Sequence, residues 1–131
     1  RIYVGATMLG LIVGGTALAQ WSIARAATLG DAGRGHQIYD NQCSACHSLD
    51  ANRVGPAHRG VYGRKAGSAP GYAYSTGVKA SRLVWTEVTL DRWLTNPQAT
   101  IPGARMGFRL ADPQQRADVI AYLRQQSPPR R

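Results

Sequence analysis

The sequence predicts an all-α domain preceded by a single membrane-spanning helix, and three observations carry that reading. Residues 2–24 contain no Asp, Glu, Lys or Arg, whereas residues 25–131 hold every acid and all but one of the bases. In the charged part, short apolar groups at helical spacing follow plausible capping residues, and β-branched runs are few. Between these groups lie long stretches rich in Gly, Pro, Ser and Tyr with no sustained period. Ordered loops of that length need something to pack on. A chain of 131 residues accommodates one small domain and an appendage.

Residues 2–24 are long enough, at about 1.5 Å per residue, to cross a hydrocarbon core of about 30 Å. Tyr3 and Trp21 stand near the two ends, where amphipathic rings favour the interfaces. Gly10 and Gly14 form G-x-x-x-G, a pattern that lets a second transmembrane helix approach closely. Ala17-Leu18-Ala19 resembles a signal-peptidase site, but the apolar stretch is longer than a usual signal core, so an uncleaved signal anchor is expected.

Asp31 is a plausible N-cap for a first helix that runs into Cys43. Arg53 to Val84 reads as loop. A second helix fits Glu87 to Thr95, capped by Thr86, with Val88, Leu90, Trp93 and Leu94 apolar and Pro97 stopping it. Gln98 to Ala111 reads as loop again. The last helix has Asp112 as cap, Pro113 at its first position and Gln115 at capping-box spacing. Val119, Ile120, Tyr122 and Leu123 form its buried side before Pro128 ends it. The expected organisation is therefore an anchor over 1–24, a linker over 25–29, a folded domain over 30–126 and a tail over 127–131.

The chemistry lies in Cys43-Ser44-Ala45-Cys46-His47, which contains both cysteines of the chain. In C-x-x-C-H two thiols can add across the vinyl groups of a haem while the adjacent histidine reaches the iron, which predicts one covalent haem c. A redox dithiol would need a βαβ context, and a structural zinc site would need four fitting ligands. His36 and His58 have no such spacing. A haem held by His47 alone would be open to small ligands, and a sixth ligand closes it. Met8 lies in the membrane segment, and His36 is too close in sequence. His58 reads as a surface loop residue. Met106, the only other methionine, lies in a loop between two helices and is the expected ligand. The metal ligands are thus His47 and Met106.

An ordered series of motifs resembles the class I cytochromes c of the mitochondrial and bacterial c2 type. It comprises Cys43–His47, Val54-Gly55-Pro56, Tyr62-Gly63-Arg64-Lys65, Pro70-Gly71-Tyr72-Ala73-Tyr74-Ser75, Trp85, Leu94-Thr95-Asn96-Pro97, Ile101-Pro102-Gly103-Ala104-Arg105-Met106 and Ile120-Ala121-Tyr122-Leu123. The resemblance implies the class I cytochrome c fold around one covalent haem c. It implies that the Pro56 carbonyl accepts from the His47 ring and that Arg64, Tyr74 and Trp85 surround a haem propionate. It also implies that Gly35 and Tyr39 pack against Tyr122 where the first and last helices cross. Ala104, Val78 and Trp93 depart from the common pattern, which thins the polar network expected near the Met106 sulfur and argues against a lowered potential.

Setting Arg1 aside leaves fifteen Lys and Arg against seven Asp and Glu, about +8 for the charged part and about +6 with two ionised propionates. No nucleic-acid motif accompanies this charge, so nucleic-acid binding is not expected. A basic docking face formed by Arg53, Arg59, Arg64, Lys65, Lys79, Arg105 and Arg109 is expected to guide acidic protein partners. The resemblance implies an electron carrier and not an enzyme. Its expected partners are cytochrome bc1 and a terminal oxidase or photosynthetic reaction centre. A single-pass anchor in a bacterial inner membrane would place the haem domain in the periplasm, where such haem attachment occurs. From Trp21 to Gly30 is a tether of at most about 35 Å. That length suits a carrier within a supercomplex, or alternatively a dedicated haem c subunit of another membrane-bound oxidoreductase.

Overall fold

The computed structural model describes residues 29–129. The expected membrane segment, with its Gly10/Gly14 motif, lies outside the described residues. Among the described residues no helix is long and apolar enough to cross a membrane.

Helix α1 (Ala32–Ile38) starts where expected, because the Asp31 carboxylate accepts the Arg34 backbone N–H at 2.8 Å. It continues directly into a single π-helical turn, Tyr39–Cys43, of the kind often found beside functional groups. Helix α2 (Thr76–Ala80) lies in the stretch read as loop, capped by Ser75. Five residues are too few for a period to show in sequence. Helix α3 (Glu87–Thr95) has the expected bounds and a reciprocal capping box between Thr86 and Thr89.

Pro97 does not simply stop α3. It is the first residue of a short helix, α4 (Pro97–Thr100), and Asn96 serves both elements, ending α3 and accepting from the Ala99 N–H at 3.2 Å. The fixed φ of proline suits a first helical position, so one residue ends a helix and starts the next. Helix α5 (Pro113–Gln125) begins as expected, with Asp112 accepting from the Gln114 and Gln115 N–H groups. The capping-box reading of Gln115 is corrected: its side-chain oxygen accepts from Gln42 Nε2 at 3.5 Å.

Two close approaches hold α1 against α5. A Cβ built on Gly35 would stand 2.0 Å from the Asp118 carbonyl oxygen and 3.0 Å from Tyr122 Cβ. Only glycine lets the two backbones meet there. Asp118 is buried, and its carboxylate accepts from Asp31 N–H (2.8 Å), Arg34 Nε–H (2.8 Å) and Gln114 Nε2–H (3.0 Å). Tyr39 packs on Tyr122 with ring centroids 5.3 Å apart, so the expected crossing is present.

The long segment between α1 and α3 is pinned by one antiparallel bridge, Lys65 to Val84. Ala66 N–H donates to Leu83 O at 2.8 Å and Trp85 N–H to Arg64 O at 2.9 Å. Helices α3 and α5 and this segment then enclose a core that includes Tyr39, Val61, Val78, Trp85, Leu90, Leu94, Val119 and Leu123.

Candidate haem site

One wall of a cavity of about 440 Å³ is formed by Cys43, Cys46 and His47, and Met106 also lines it. That volume falls in the range typical of small-molecule and cofactor sites. Apolar side chains of Val61, Val78, Leu90, Leu94, Val119 and Leu123 make up much of its lining, supplied by α2, α3, α5 and the pinned segment. Of the predicted site residues, Pro56, Tyr74 and Trp85 line it as well.

Arg64 does not. Its guanidinium donates to the carbonyls of Ala57 (2.9 Å) and Arg59 (3.1 Å). Its Nε–H is the one buried side-chain polar atom, among the described residues, without a hydrogen-bond partner. Burial lowers its pKa from the ordinary value. A buried donor left in this state calls for an anionic or polar acceptor, which agrees with a haem carboxylate even though Arg64 stands off the cavity wall. The Tyr74 hydroxyl accepts from the Ala69 N–H at 3.1 Å.

The π-helical turn ends on Cys43, the turn after it carries Cys46, and His47 N–H closes back on Cys43 O at 2.9 Å. The His47 Nδ1 lies 2.9 Å from the Pro56 carbonyl oxygen, an acceptor only, so Nδ1 carries the proton and donates. Nε2 is left as a lone pair, the form a metal requires. Burial lowers the His47 pKa, against a smaller raising effect of this hydrogen bond. Gly55 is the cradle for the ring, since a Cβ there would stand 2.1 Å from His47 Cε1.

Burial pushes the Cys43 thiol up to about 11, with Cys46 adding to the shift. A redox-active C-x-x-C works through a lowered thiol pKa, so Cys43 lacks the property that a dithiol nucleophile needs. Among the described residues no three of His, Cys, Asp and Glu are grouped to hold a metal ion such as zinc. The apolar lining, the glycine cradle and the unpartnered Arg64 donor fit a haem.

Several further residues line the cavity beyond those expected to bind the haem. Tyr72 donates its hydroxyl to Val54 O at 2.6 Å, closing the rim beside a Val54 side chain that is 75 % exposed. Trp93 meets Trp85 edge-on at 5.1 Å. Phe108 and Arg105 line the cavity too. The surface reading of His58 is overturned: its ring lines the cavity and stacks on His47 at 4.0 Å, with 19° between the planes. The peptide around it is loop, and only the fold carries it inward.

Of the expected basic face only Arg59 pairs with an acid among the described residues, and the others keep their charge. Arg59 is tied to Asp50 through both its Nε and Nη2, and Arg53 donates to Ser44 O at 2.6 Å. Arg105 reaches Ala73 O at 3.2 Å. Lys65, Lys79 and Arg109 are exposed and make no ion pair among the described residues.

The profile of the family described as Cytochrome c matches residues 32–127. The chain is 48 % identical over 107 residues to cytochrome c2 of Rhodomicrobium vannielii, covering 79 % of this chain and 84 % of that protein. It is 41 % identical over 98 residues to cytochrome c of Euglena viridis, covering 72 % and 96 %. Among solved structures, cytochrome cH from Methylobacterium extorquens superposes with a TM-score of 0.70 at 42 % identity, covering 73 % of this chain and 99 % of that one. Cytochrome c2 from Rhodospirillum centenum gives the same score at 36 % identity, covering 76 % and 100 %.

Proposed function

The chain belongs to the cytochrome c family, and from that premise we propose that it is a membrane-tethered carrier passing single electrons from cytochrome bc1 to a terminal oxidase or photosynthetic reaction centre. The chain is a mono-haem c2-type electron carrier, close to bacterial cytochrome c2, and not an enzyme. The single observation that carries the site is the one apolar cavity shared by Cys43, Cys46, His47 and Met106.

Bound haem c supplies a one-electron iron couple. Cys43 and Cys46 would hold it by thioether bonds, and His47 and Met106 would ligate its iron. The chain's own work is to hold these groups still. Pro56 sets the His47 tautomer, Gly55 makes room for the ring, and the apolar wall excludes water, which favours the less charged reduced state. Arg64, with Tyr74 and Trp85 nearby, would offset the burial of a propionate charge. Exposed Lys65, Lys79, Arg105 and Arg109 would steer the molecule to acidic partners in weak, salt-sensitive encounters.

The uncharged stretch 2–24 supports the tether, a bacterial inner-membrane location with the haem domain in the periplasm, and helix packing at Gly10 and Gly14. Native membranes extracted in mild detergent and run on a native gel stained for haem test this reading. Migration of the chain with a bc1 complex, an oxidase or a reaction centre is expected. Co-migration with an unrelated dehydrogenase alone would replace the carrier reading by that of a dedicated subunit. Full release of the chain by salt without detergent would refute the anchor.

A further inference from the structure

We infer that His58 is a positioning residue for the haem, holding the His47 ring face-on and lowering the reduction potential through a hydrogen bond anchored at Tyr39. The inference deepens the haem reading above and rests on His47 being the axial ligand. His47 is gripped in its plane by the Pro56 carbonyl at 2.9 Å and across its face by the nearly parallel His58 ring at 4.0 Å. His58 is in turn fixed, its Nδ1 lying 3.1 Å from the Tyr39 hydroxyl. Tyr39 is 3 % exposed and belongs to the π-helical turn that carries Cys43. One hydroxyl therefore ties the ligand's neighbour to the same turn that carries Cys43.

The chemistry follows from what an imidazole is. An aliphatic side chain of similar size would fill the space and leave the surroundings apolar. An imidazole brings a dipole and a polarisable ring against the ligand. The Tyr39 hydroxyl can donate or accept, so it satisfies His58 in either tautomer. The ring dipole is thus free to settle against the nearby positive charge, which includes Arg64 and grows when the iron loses an electron. Polarity and hydrogen bonding around a ligand are recognised levers on haem potential. Among the described residues no acid pairs with His58, and a charged imidazole pressed on the His47 ring would be left without a partner, so it acts as a neutral dipole.

The test is equilibrium redox titration of the haem-loaded, full-length protein and three variants, His58→Leu, Tyr39→Phe and the double variant. His58→Leu is expected to favour the reduced form by at least about threefold, or about 30 mV at 59 mV per tenfold for one electron. Tyr39→Phe is expected to shift the same way by less and to add nothing in the His58→Leu background. His58→Gln, which keeps a polar group, is expected to recover part of the shift. A lowered melting temperature with an unchanged potential in His58→Leu would reduce the residue to packing and overturn the proposal. A Tyr39→Phe shift that persists undiminished beside His58→Leu would overturn the link between them. If His58→Leu does not fold, an unchanged potential in Tyr39→Phe overturns the proposal alone. A wild-type protein lacking a one-electron wave and low-spin spectrum would instead refute the haem reading beneath it.

Discussion

Replacing Gly35 with alanine sets two physical effects against each other. In an isolated helix alanine is better than glycine by about 1 kcal/mol, so local propensity predicts a more stable protein. In this fold the new methyl would stand 2.0 Å from the Asp118 carbonyl oxygen and 3.0 Å from Tyr122 Cβ. Heavy atoms pack at about 3.5–4.0 Å, so α1 and α5 must separate by more than about 1 Å at their crossing. The obstacle is backbone, which cannot swing aside as a side chain does. Overpacking of this kind costs about 1–3 kcal/mol and here would also loosen Tyr39 and Asp118. With a backbone obstacle putting the cost at the top of that range, the propensity gain leaves a net loss of about 2 kcal/mol, or a melting temperature lower by about 8–16 °C for a domain of this size.

Gly33, two residues earlier in the same helix, is the control. A Cβ there would meet only the Asp31 side-chain oxygen, at 3.2 Å, which can give way. Gly33→Ala is expected to hold or raise the melting temperature, by up to about 8 °C. The assay is thermal unfolding of haem-loaded protein followed by circular dichroism at pH 7. Gly35→Ala melting at or above wild type would refute the reasoning. An equal loss in both variants would show that glycine matters for the start of α1 and not for the crossing.

The remaining predictions concern charge, ligation and capping. Asp118 is held below the usual carboxylate range chiefly by the Arg34 hydrogen bond, with Asp31 N–H and Gln114 assisting against burial. A depressed carboxyl pKa stabilises the fold above its unfolded value of about 3.9, and that contribution disappears as pH falls through the folded value. Asp118→Asn should therefore cost about 1.5–3 kcal/mol at pH 7, with the gap to wild type narrowing as pH falls below about 4, and a gap of unchanged size would contradict it. Met106→Ala should open the sixth position, so that the ferrous protein binds carbon monoxide readily and the far-red methionine–ferric band disappears; a retained band would show another ligand. Asn96→Ala, which removes the cap of α4, should lower stability by about 1 kcal/mol in denaturant melts with the slope unchanged.

Local signals in the sequence were strongest where a few neighbouring residues suffice. Asp31, Thr86 and Asp112 cap the helices they precede because each reaches only two or three residues ahead. Cys43, Cys46 and His47 share one short turn, so their chemistry is legible from spacing. Where an outcome depends on distant chain, it was not. Pro97 is a local ambiguity of another kind: proline can end a helix or begin one, and with Asn96 accepting from the Ala99 N–H it does both. Arg59 reads as a docking charge until the fold brings Asp50 to it.

His58 is the sharpest case. A histidine between Ala57 and Arg59 in a proline- and glycine-rich stretch looks solvated, yet it lies against His47 with Tyr39 holding its far side. Residues 39 and 58 are nineteen apart, and no local rule joins them. The sequence by itself thus determined the helical class, the caps and the covalent attachment, because backbone geometry and cysteine spacing act over a few residues. The tertiary structure alone decided which loop residues surround the ligand and which charges are left exposed, because those depend on segments brought together by packing.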